Sequence, residues 1–574
     1  MKKFNPILRK FKTIFLILCI SLGSIISFSF VDDYFELSKN LDIFSTLFRE
    51  LNMYYVDEED PGKLMKKGVD AMLESLDPYT NFIPENEVED FRFMSTGEYG
   101  GIGAGIRKRD DYVVITEPYD NYPAQKGDLR AGDVILEIDG KSAKGKRTDE
   151  VSKILKGPAK TTVKLLVSRD GEEKPIEKIL MREKIKIINV PYFGMLKNNT
   201  AYIRLSGFTE NAGKEVKDAL VALKTANTVK SVILDLRGNP GGLLNEAVNI
   251  SNVFVNKGQE IVSTRGKVKD WDKVYKALNP PVDTEMPIAV LVNSGSASAS
   301  EIVTGSIQDL DRGVVIGQRT YGKGLVQTTR PLSYNAQLKV TTAKYYTPSG
   351  RCIQALDYTH RNEDGSVGKI PDSLITPFKT HLGRIVYDGG GIAPDIMVPA
   401  KTYSSIEMSL LNKFLIFDFA TKYKLKHASI AKAQEFKLTE ADYNDFIAFI
   451  SDKEYDYVSK SEKMLEDLKE SAEKEKIFGE IKTEFDALKT RLYHNKKEDL
   501  KKFKEGIIQL LTEEIVSRYY FQTGKIEAGL EADAEVKKAL DVLKDKNLYE
   551  SILNTNYKIP KETAEKDKNK SIDK

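Results

Sequence analysis

Lys323 is the residue best placed by its neighbours to act as a base, bracketed by glycines in Gly317-Gln-Arg-Thr-Tyr-Gly322-Lys323-Gly324. Burial can lower a lysine pKa from about 10.4 toward neutrality, which makes the amine a general base. The run also approaches a phosphate-binding loop, GxxxxGK[ST]. Gly324, however, stands where Ser or Thr would ligate magnesium, and Leu325-Val-Gln-Thr-Thr329 is β-like where a helix is required, so nucleotide binding is set aside. A nucleophile could come from Asn293-Ser294-Gly-Ser296-Ala-Ser298-Ala-Ser300-Glu301, directly after the apolar stretch Pro287 to Val292. A hydroxyl at a helix start sits in a field that favours negative charge. Spacing does not choose among the four serines, and serine-rich turns before helices are often only caps. In Ser231-Val-Ile-Leu-Asp-Leu-Arg237-Gly238-Asn239-Pro240-Gly241-Gly242, a strand ends in a glycine turn before a helix. Its N–H groups could receive an oxyanion, although taken alone a plain tight turn is the simpler account. The last cluster, Gly100-Gly-Ile-Gly-Ala-Gly105, does not fit GxGxxG and precedes a charged strand-like stretch. It suits either a glycine turn or a loop that takes a carboxylate beside a strand edge open to an extended peptide.

The elements that must hold these clusters follow from periodicity. Apolar positions at helical spacing (Leu37, Leu41, Phe44, Leu47, Leu51, then Leu64, Val69, Met72 and Leu76) predict helices up to the breaker Asp77-Pro78. From Gly97 short β runs take over, at Tyr112 to Thr116, Asp133 to Ile138 and Thr162 to Val167, with a helix at Thr148 to Leu155. Between 186 and 400, strands at Ala201 to Leu205, Ser231 to Leu236, Pro287 to Val292 and Gly313 to Gly317 alternate with helices near 211–224, 242–255 and 297–310. That alternation predicts an α/β layer with parallel strands, followed by a long hairpin from Leu325 to Thr347. Beyond about 404 the chain is nearly free of Gly and Pro and rich in Lys, Glu and Leu, hence helical. Its charged residues read most simply as a solvated face.

Composition narrows the chemistry. At 574 residues the chain should hold roughly three to four domains. With 87 Lys plus Arg against 85 Asp plus Glu it lacks the basic excess of a nucleic-acid binder. Two cysteines and four histidines disfavour a disulfide scaffold and a metal cluster. Lys2, Lys3, Arg9, Lys10 and Lys12, the apolar run Thr13 to Phe28 and the small-x-small site Ser27-Phe28-Ser29 form a secretory signal, with an uncleaved anchor as the alternative. Bulky Leu18 disfavours lipid attachment at Cys19. Losing the leader's five positive charges takes the formal +2 to −3 and leaves Cys352 as the sole cysteine.

Gly101-Ile102-Gly103-Ala104, with Leu129-Arg-Ala-Gly-Asp-Val-Ile135 and Ile138-Asp-Gly140, resembles a bacterial PDZ domain. The resemblance implies that the glycine loop takes a C-terminal carboxylate and that Val151 and Leu155 border the pocket for the last side chain, core packing of those two being the equal alternative. Together with Ser75-Leu-Asp-Pro-Tyr-Thr80, Asp235 to Gly242, Ser296 to Glu301 and Tyr321-Gly-Lys-Gly324 with Gln327, these blocks resemble, in order, the carboxy-terminal processing peptidases, or tail-specific proteases. The resemblance covers roughly residues 40–400.

That resemblance implies a serine endopeptidase with a Ser/Lys dyad: Ser298 as nucleophile, Lys323 as general base, and Gln327 holding the lysine amine. It implies oxyanion donors from the N–H of Ala299 and of Gly241 or Gly242, and no metal or cofactor. The even spacing of Lys323 and Gln327 would place both on one strand face. The expected architecture is multidomain: signal peptide 1–29, N-terminal helices 30–95, PDZ domain 96–185, a crotonase/ClpP-like α/β core with a β-hairpin region at 186–403, a helical C-terminal domain 404–558 and a charged tail 559–574. Family members can use the PDZ domain as a movable gate. Expected partners are proteins or peptides with accessible C-termini, a second copy or an adaptor through the helical regions, and the membrane through the N-terminus if the leader stays. No nucleic acid is expected. The expected location is extracytoplasmic, in the periplasm. An insertion carrying His360 and His381 separates Gly350–Gln354 from Gly391–Asp395, departs from compact members, and is expected to be a surface feature. A catalytically silent PDZ adaptor is the main alternative; a crotonase-like acyl-CoA enzyme is disfavoured by the leader and the PDZ module.

Overall fold

The computed structural model describes residues 34–492 and 496–557. The leader at 1–29, with Cys19, and the charged tail at 559–574 lie outside them. The chain divides into two compact units, one ending at Phe82 and the other beginning at Ile83.

The first unit holds a helix over 34–54 and a second, Pro61–Glu74. Asp60 caps the latter, its Oδ1 accepting from the N–H of Gly62 (2.9 Å) and Lys63 (3.2 Å), while Pro61 supplies a preset φ where no N–H is needed. The break at Asp77-Pro78 is a side-chain-closed turn: Asp77 Oδ1 accepts from the N–H of Tyr79 (2.8 Å) and Thr80 (2.9 Å).

In the second unit, the β module is built from Ala104–Arg109, Tyr112–Pro118, Val134–Ile138, Thr162–Ser168 and Ile176–Met181, all antiparallel, with the helix Thr148–Leu155. Alternate residues Val163, Leu165 and Val167 point into its core with Ile115 and Ile135. A two-stranded ribbon, Glu98–Gly101 against Glu183–Lys186, joins the module to the rest.

The α/β layer is a six-stranded sheet in the order Tyr192–Leu196, Thr200–Arg204, Ser231–Asp235, Ile288–Val292, Val314–Gly317, Ile396–Met397. All neighbours are parallel except the first pair. Strands buried on both faces read as continuous apolar runs, which is why VILD and IAVLV show no alternation. The pleat still sorts them. Val232, Leu234, Val290, Val292 and Val315 pack beneath the helices Ala212–Ala226, Leu244–Phe254 and Ala299–Asp309. Ile233, Ala289, Leu291, Val314 and Ile316 face the other way, against Val536, Ala539 and Val542 of the helix Ala534–Lys544. The last helices among the described residues are thus the third layer of the α/β sandwich.

The hairpin pairs Leu325–Pro331 with Gln337–Tyr346, the latter also pairing Glu260–Gly266. The strands at 260–266 and 273–276 lie outside the expected alternation, the second because its residues fall in the charged run Lys267 to Lys276. The helices Ser405–Asn412, Leu415–Lys426, Glu440–Ile450 and Lys504–Gly529 close a separate core around Phe419, Phe446, Ile507 and Leu511. This core holds the β module: the Arg109 guanidinium makes a two-pronged pair with Asp418 (2.7 and 2.8 Å), and Arg107 lies over the Phe414 ring at 4.7 Å.

The insertion is anchored, not merely superficial. Arg384 is fully buried and pairs with Asp311 (2.6 Å) and Asp395 (2.7 Å), beyond the end of the helix Ala299–Asp309. Removing one partner of a buried ion pair strands the other charges. Arg384→Ala should therefore cost about 3–5 kcal/mol, measured as a lower unfolding midpoint in denaturant.

Candidate active site

Three turns converge at the ends of neighbouring parallel strands. The glycine turn follows Ser231–Asp235, the serine turn follows Ile288–Val292, and the lysine turn follows Val314–Gly317. Openings at the C-terminal ends of such strands are where α/β sheets bind ligands.

The serine turn is stitched to the glycine turn. Ala297 N–H donates to Asn239 O (3.0 Å), and Asn293 Oδ1 accepts from the N–H of Gly238 (2.8 Å) and Gly295 (3.0 Å). Ser296 and Ser300 are buried, and their hydroxyls donate to Leu236 O (2.8 Å) and Asn239 O (2.9 Å). Both are structural. Ser294 is exposed. The half-buried Ser298 is the exception: its hydroxyl meets no partner among the described residues, and its backbone stands at φ 55°, ψ −113°. Such a conformation costs a non-glycine residue about 1–3 kcal/mol and survives only where the surroundings impose it.

The structure thus separates the four serines. It also separates the two glycines. Gly241 lies against Ser298: a Cβ there would come within 2.9 Å of Ser298 Cβ and 2.8 Å of Ala299 N, and its φ is +97°. Its own N–H donates to Asn239 Oδ1 at 2.9 Å. Among the described residues the N–H groups of Gly242 and Ala299 meet no acceptor.

The lysine turn departs from expectation in one respect. Lys323 precedes the strand, which begins at Leu325, and the ladder shifts register between Val326 and Gln327. The two residues therefore do not share one strand face through even spacing. The cause is local: Gly324 N–H is drawn to Gln354 Oε1 (2.7 Å) and Lys323 N–H to Glu301 Oε2 (2.9 Å), although Gly324 O still accepts from Tyr345 N–H (2.9 Å) of the partner strand. Gln327 Nε2 donates to Thr341 Oγ1 at 3.1 Å.

Glu301 is the residue to which no role fell in the sequence. It is fully buried, and its carboxylate accepts four bonds. Oε2 takes the N–H of Ser298 and of Lys323, each at 2.9 Å; Oε1 takes the N–H of Gly322 (2.7 Å) and the hydroxyl of Thr320 (2.6 Å). One oxygen thus binds both candidate catalytic backbones. Burial pushes its carboxyl pKa up, and the Thr320 hydroxyl and the three N–H donors pull it partly back. A signal existed: Ser298-x-x-Glu301 is the spacing of a helix capping box.

Beneath the glycine turn, Asp235 is fully buried between Arg237 and Arg204. Burial alone would raise its carboxyl, but the two guanidiniums outweigh it and hold the group well below the usual range. Elsewhere, Ile102 and Gly103 of the module's glycine loop have N–H groups that donate to nothing among the described residues, while Gly101 belongs to the ribbon strand and Ala104 opens the next strand. Val151 and Leu155 are buried in the module core with Ile102. His360 pairs with Asp357 (2.8 Å) on an exposed hairpin, and among the described residues no hydrogen bond joins it or His381 to Ser298. Burial raises the Cys352 thiol, in keeping with a packed side chain.

Sequence profiles agree with this layout. "Peptidase family S41" matches residues 199–360, "PDZ domain" 100–179, and "Probable PDZ-protease, C-terminal helical domain" 406–543. A "Carboxy-terminal-processing protease" of Bartonella bacilliformis is 39% identical over 324 residues, 56% of this chain and 74% of the relative. A "Probable CtpA-like serine protease" of Staphylococcus aureus (strain COL) is 38% identical over 316 residues, 55% of this chain and 62% of the relative. Among solved structures, a photosystem II D1 C-terminal processing protease is 27% identical, covering 62% of this chain and 92% of its own; its TM-score of 0.34 carries no argument about the fold. With an S41 core, a PDZ domain and a relative 39% identical and matched over 74% of its length, the chain belongs to the carboxy-terminal-processing proteases, serine endopeptidases of family S41.

Proposed function

We propose that the protein is an extracytoplasmic endopeptidase that engages C-terminal tails of protein substrates through its PDZ domain and cuts them with a Ser298/Lys323 dyad. The observation that carries this is the single Glu301 oxygen bonded to the backbones of both residues, which fixes the two turns to each other. Lys323 takes the Ser298 proton as Oγ attacks the scissile carbonyl, and the tetrahedral oxygen is met by the N–H of Ala299 and of Gly242, the glycine whose amide is not already engaged. Lys323 then protonates the leaving amine and activates water to release the acyl group. Gln327, held by Thr341, orients the lysine amine. Donation to the oxyanion is worth about 3–4 kcal/mol per donor.

In the PDZ domain the N–H groups of Ile102 and Gly103 take the terminal carboxylate, with Gly101 and Ala104 flanking them. Val151 and Leu155 shape the floor of the pocket from the core side. Docking the tail there raises its effective concentration at the peptidase site, and release of the PDZ domain from the helical core gates access. The test is a fluorescent protein substrate with an apolar tail, ending in a free carboxylate or in an amide. Amidation should weaken binding at least about tenfold, as expected for a lost charge-assisted site; equal cleavage of the two forms would remove the PDZ domain from recognition. If the tail binds but nothing is cut, the protein is a silent adaptor.

The extracytoplasmic location rests on the leader. Mass analysis of the mature protein should find an N-terminus at Phe30. A retained Met1 would make the leader an anchor.

A further inference from the structure

We propose that the helix Ala534–Lys544 is part of the catalytic apparatus, with its cap Asp533 and Glu535 acting as positioning residues for the oxyanion turn through Arg237. This rests on the Ser298/Lys323 mechanism above and gives a helix outside the peptidase core a role in it.

Arg237 opens the glycine turn, and it is gripped from every side. Its N–H donates to Asp235 Oδ1 (3.0 Å) and its carbonyl accepts from Arg204 Nη2 (2.7 Å). Its guanidinium binds Asp235 on one edge, with Nε to Oδ1 at 3.0 Å and Nη2 to Oδ2 at 2.6 Å. The other edge is held by residues about 300 positions later: Nη1 reaches Asp533 Oδ1 at 3.0 Å and Glu535 Oε2 at 3.2 Å, and Nη2 reaches Asp533 Oδ2 at 2.8 Å. Asp533 Oδ1 also caps the helix Ala534–Lys544 through Val536 N–H (2.9 Å). Glu535 in turn accepts from Gln318 (3.0 Å), which opens the lysine turn and also donates to Val398 O (2.7 Å). The start of one helix therefore touches the roots of two catalytic turns.

Charge makes the contact more than packing. Asp235, Asp533 and Glu535 face Arg204 and Arg237, with the Arg237 side chain only 13% exposed. Without the two late carboxylates, Asp235 alone would face two guanidiniums, and the Arg237 guanidinium would lose the charge behind three of its five contacts. The turn that carries Gly241 and Gly242 would then be free to shift, and small misplacements of donors act on the transition state more than on substrate binding.

The experiment is the full-length double variant Asp533→Asn, Glu535→Gln. Asparagine still caps a helix, so the charge is removed with the cap retained. The expected result is a kcat lower by about tenfold with KM within about twofold. The affinity ratio of a peptide aldehyde, whose hemiacetal presents an oxyanion, to the matching peptide alcohol should fall by a similar factor. A kcat at the unaltered value, or an unchanged aldehyde-to-alcohol ratio, overturns the proposal; a fall in thermal midpoint alone would mark the cluster as merely structural and overturns it equally. Ser298→Ala in the same assay keeps the two claims apart. If it still turns over, the dyad mechanism fails; if it is silent while the double variant matches the unaltered enzyme, only this inference fails.

Discussion

Ser298→Ala and Lys323→Ala should each lower kcat by about 10⁴-fold or more, with folding unchanged. For serine the reason is specific. Of the four serines in the run, Ser296 and Ser300 have hydroxyls bonded to backbone carbonyls and Ser294 is exposed; Ser298 alone combines a hydroxyl with no partner among the described residues and a strained backbone at the start of a buried helix. Removing its oxygen removes the bond-forming atom. For lysine the effect is comparable because residues acting as a unit are not additive: without a base the serine is a weak nucleophile. Ser296→Ala is the contrast. It should lower stability and leave the chemistry largely intact. Steady-state cleavage of a substrate with an apolar tail measures all three.

Glu301→Ala should lower kcat by about a hundredfold or more and destabilise the peptidase unit by roughly 3 kcal/mol. Four donors point at this carboxylate, and without it the N–H groups of Ser298, Gly322 and Lys323 lose their acceptor, while the Thr320 hydroxyl keeps only the bond it accepts from Ile392 N–H (2.6 Å). Each orphaned donor costs about 1–3 kcal/mol, offset in part because a desolvated charge is also removed. The kinetic loss has another origin, since both turns are positioned by the same oxygen. Glu301→Gln is the discriminating control: an amide can accept on one side only, so it should be intermediate in both readouts. Activity that follows stability alone would reduce Glu301 to a packing residue.

The sequence made the architecture legible because its patterns are local. Four of the five parallel strands and the helix Thr148–Leu155 are legible within a residue or two from apolar runs and their breakers, whereas the two-residue strand Ile396–Met397 is too short to carry such a run. The chemical residues were legible as types and motifs, and the family resemblance assigned Ser298 among four equivalent serines. What escaped depends on distance in the chain. Glu301 reads as a helix cap until the lysine turn folds onto it 22 residues later. Gly241 and Gly242 are equivalent as letters, and only Asn239 distinguishes their amides. Asp533 and Glu535 sit in a charged stretch that reads as solvated surface, because nothing local shows that Arg237 waits across the sheet. Arg384 likewise looks like a surface charge until Asp311 and Asp395 enclose it. Buried charge is the common factor: its meaning resides in the partner.

The central claim is that Ser298 is the nucleophile and that Lys323 activates it. The most direct measurement treats the full-length enzyme with a peptidyl phosphonate bearing the substrate's sequence and maps the adduct by mass spectrometry. The account predicts one adduct, on Ser298, and none on the Lys323→Ala variant over the same interval. An adduct on Ser294, Ser296 or Ser300, or labelling of the Lys323→Ala variant at the unaltered rate, would contradict it.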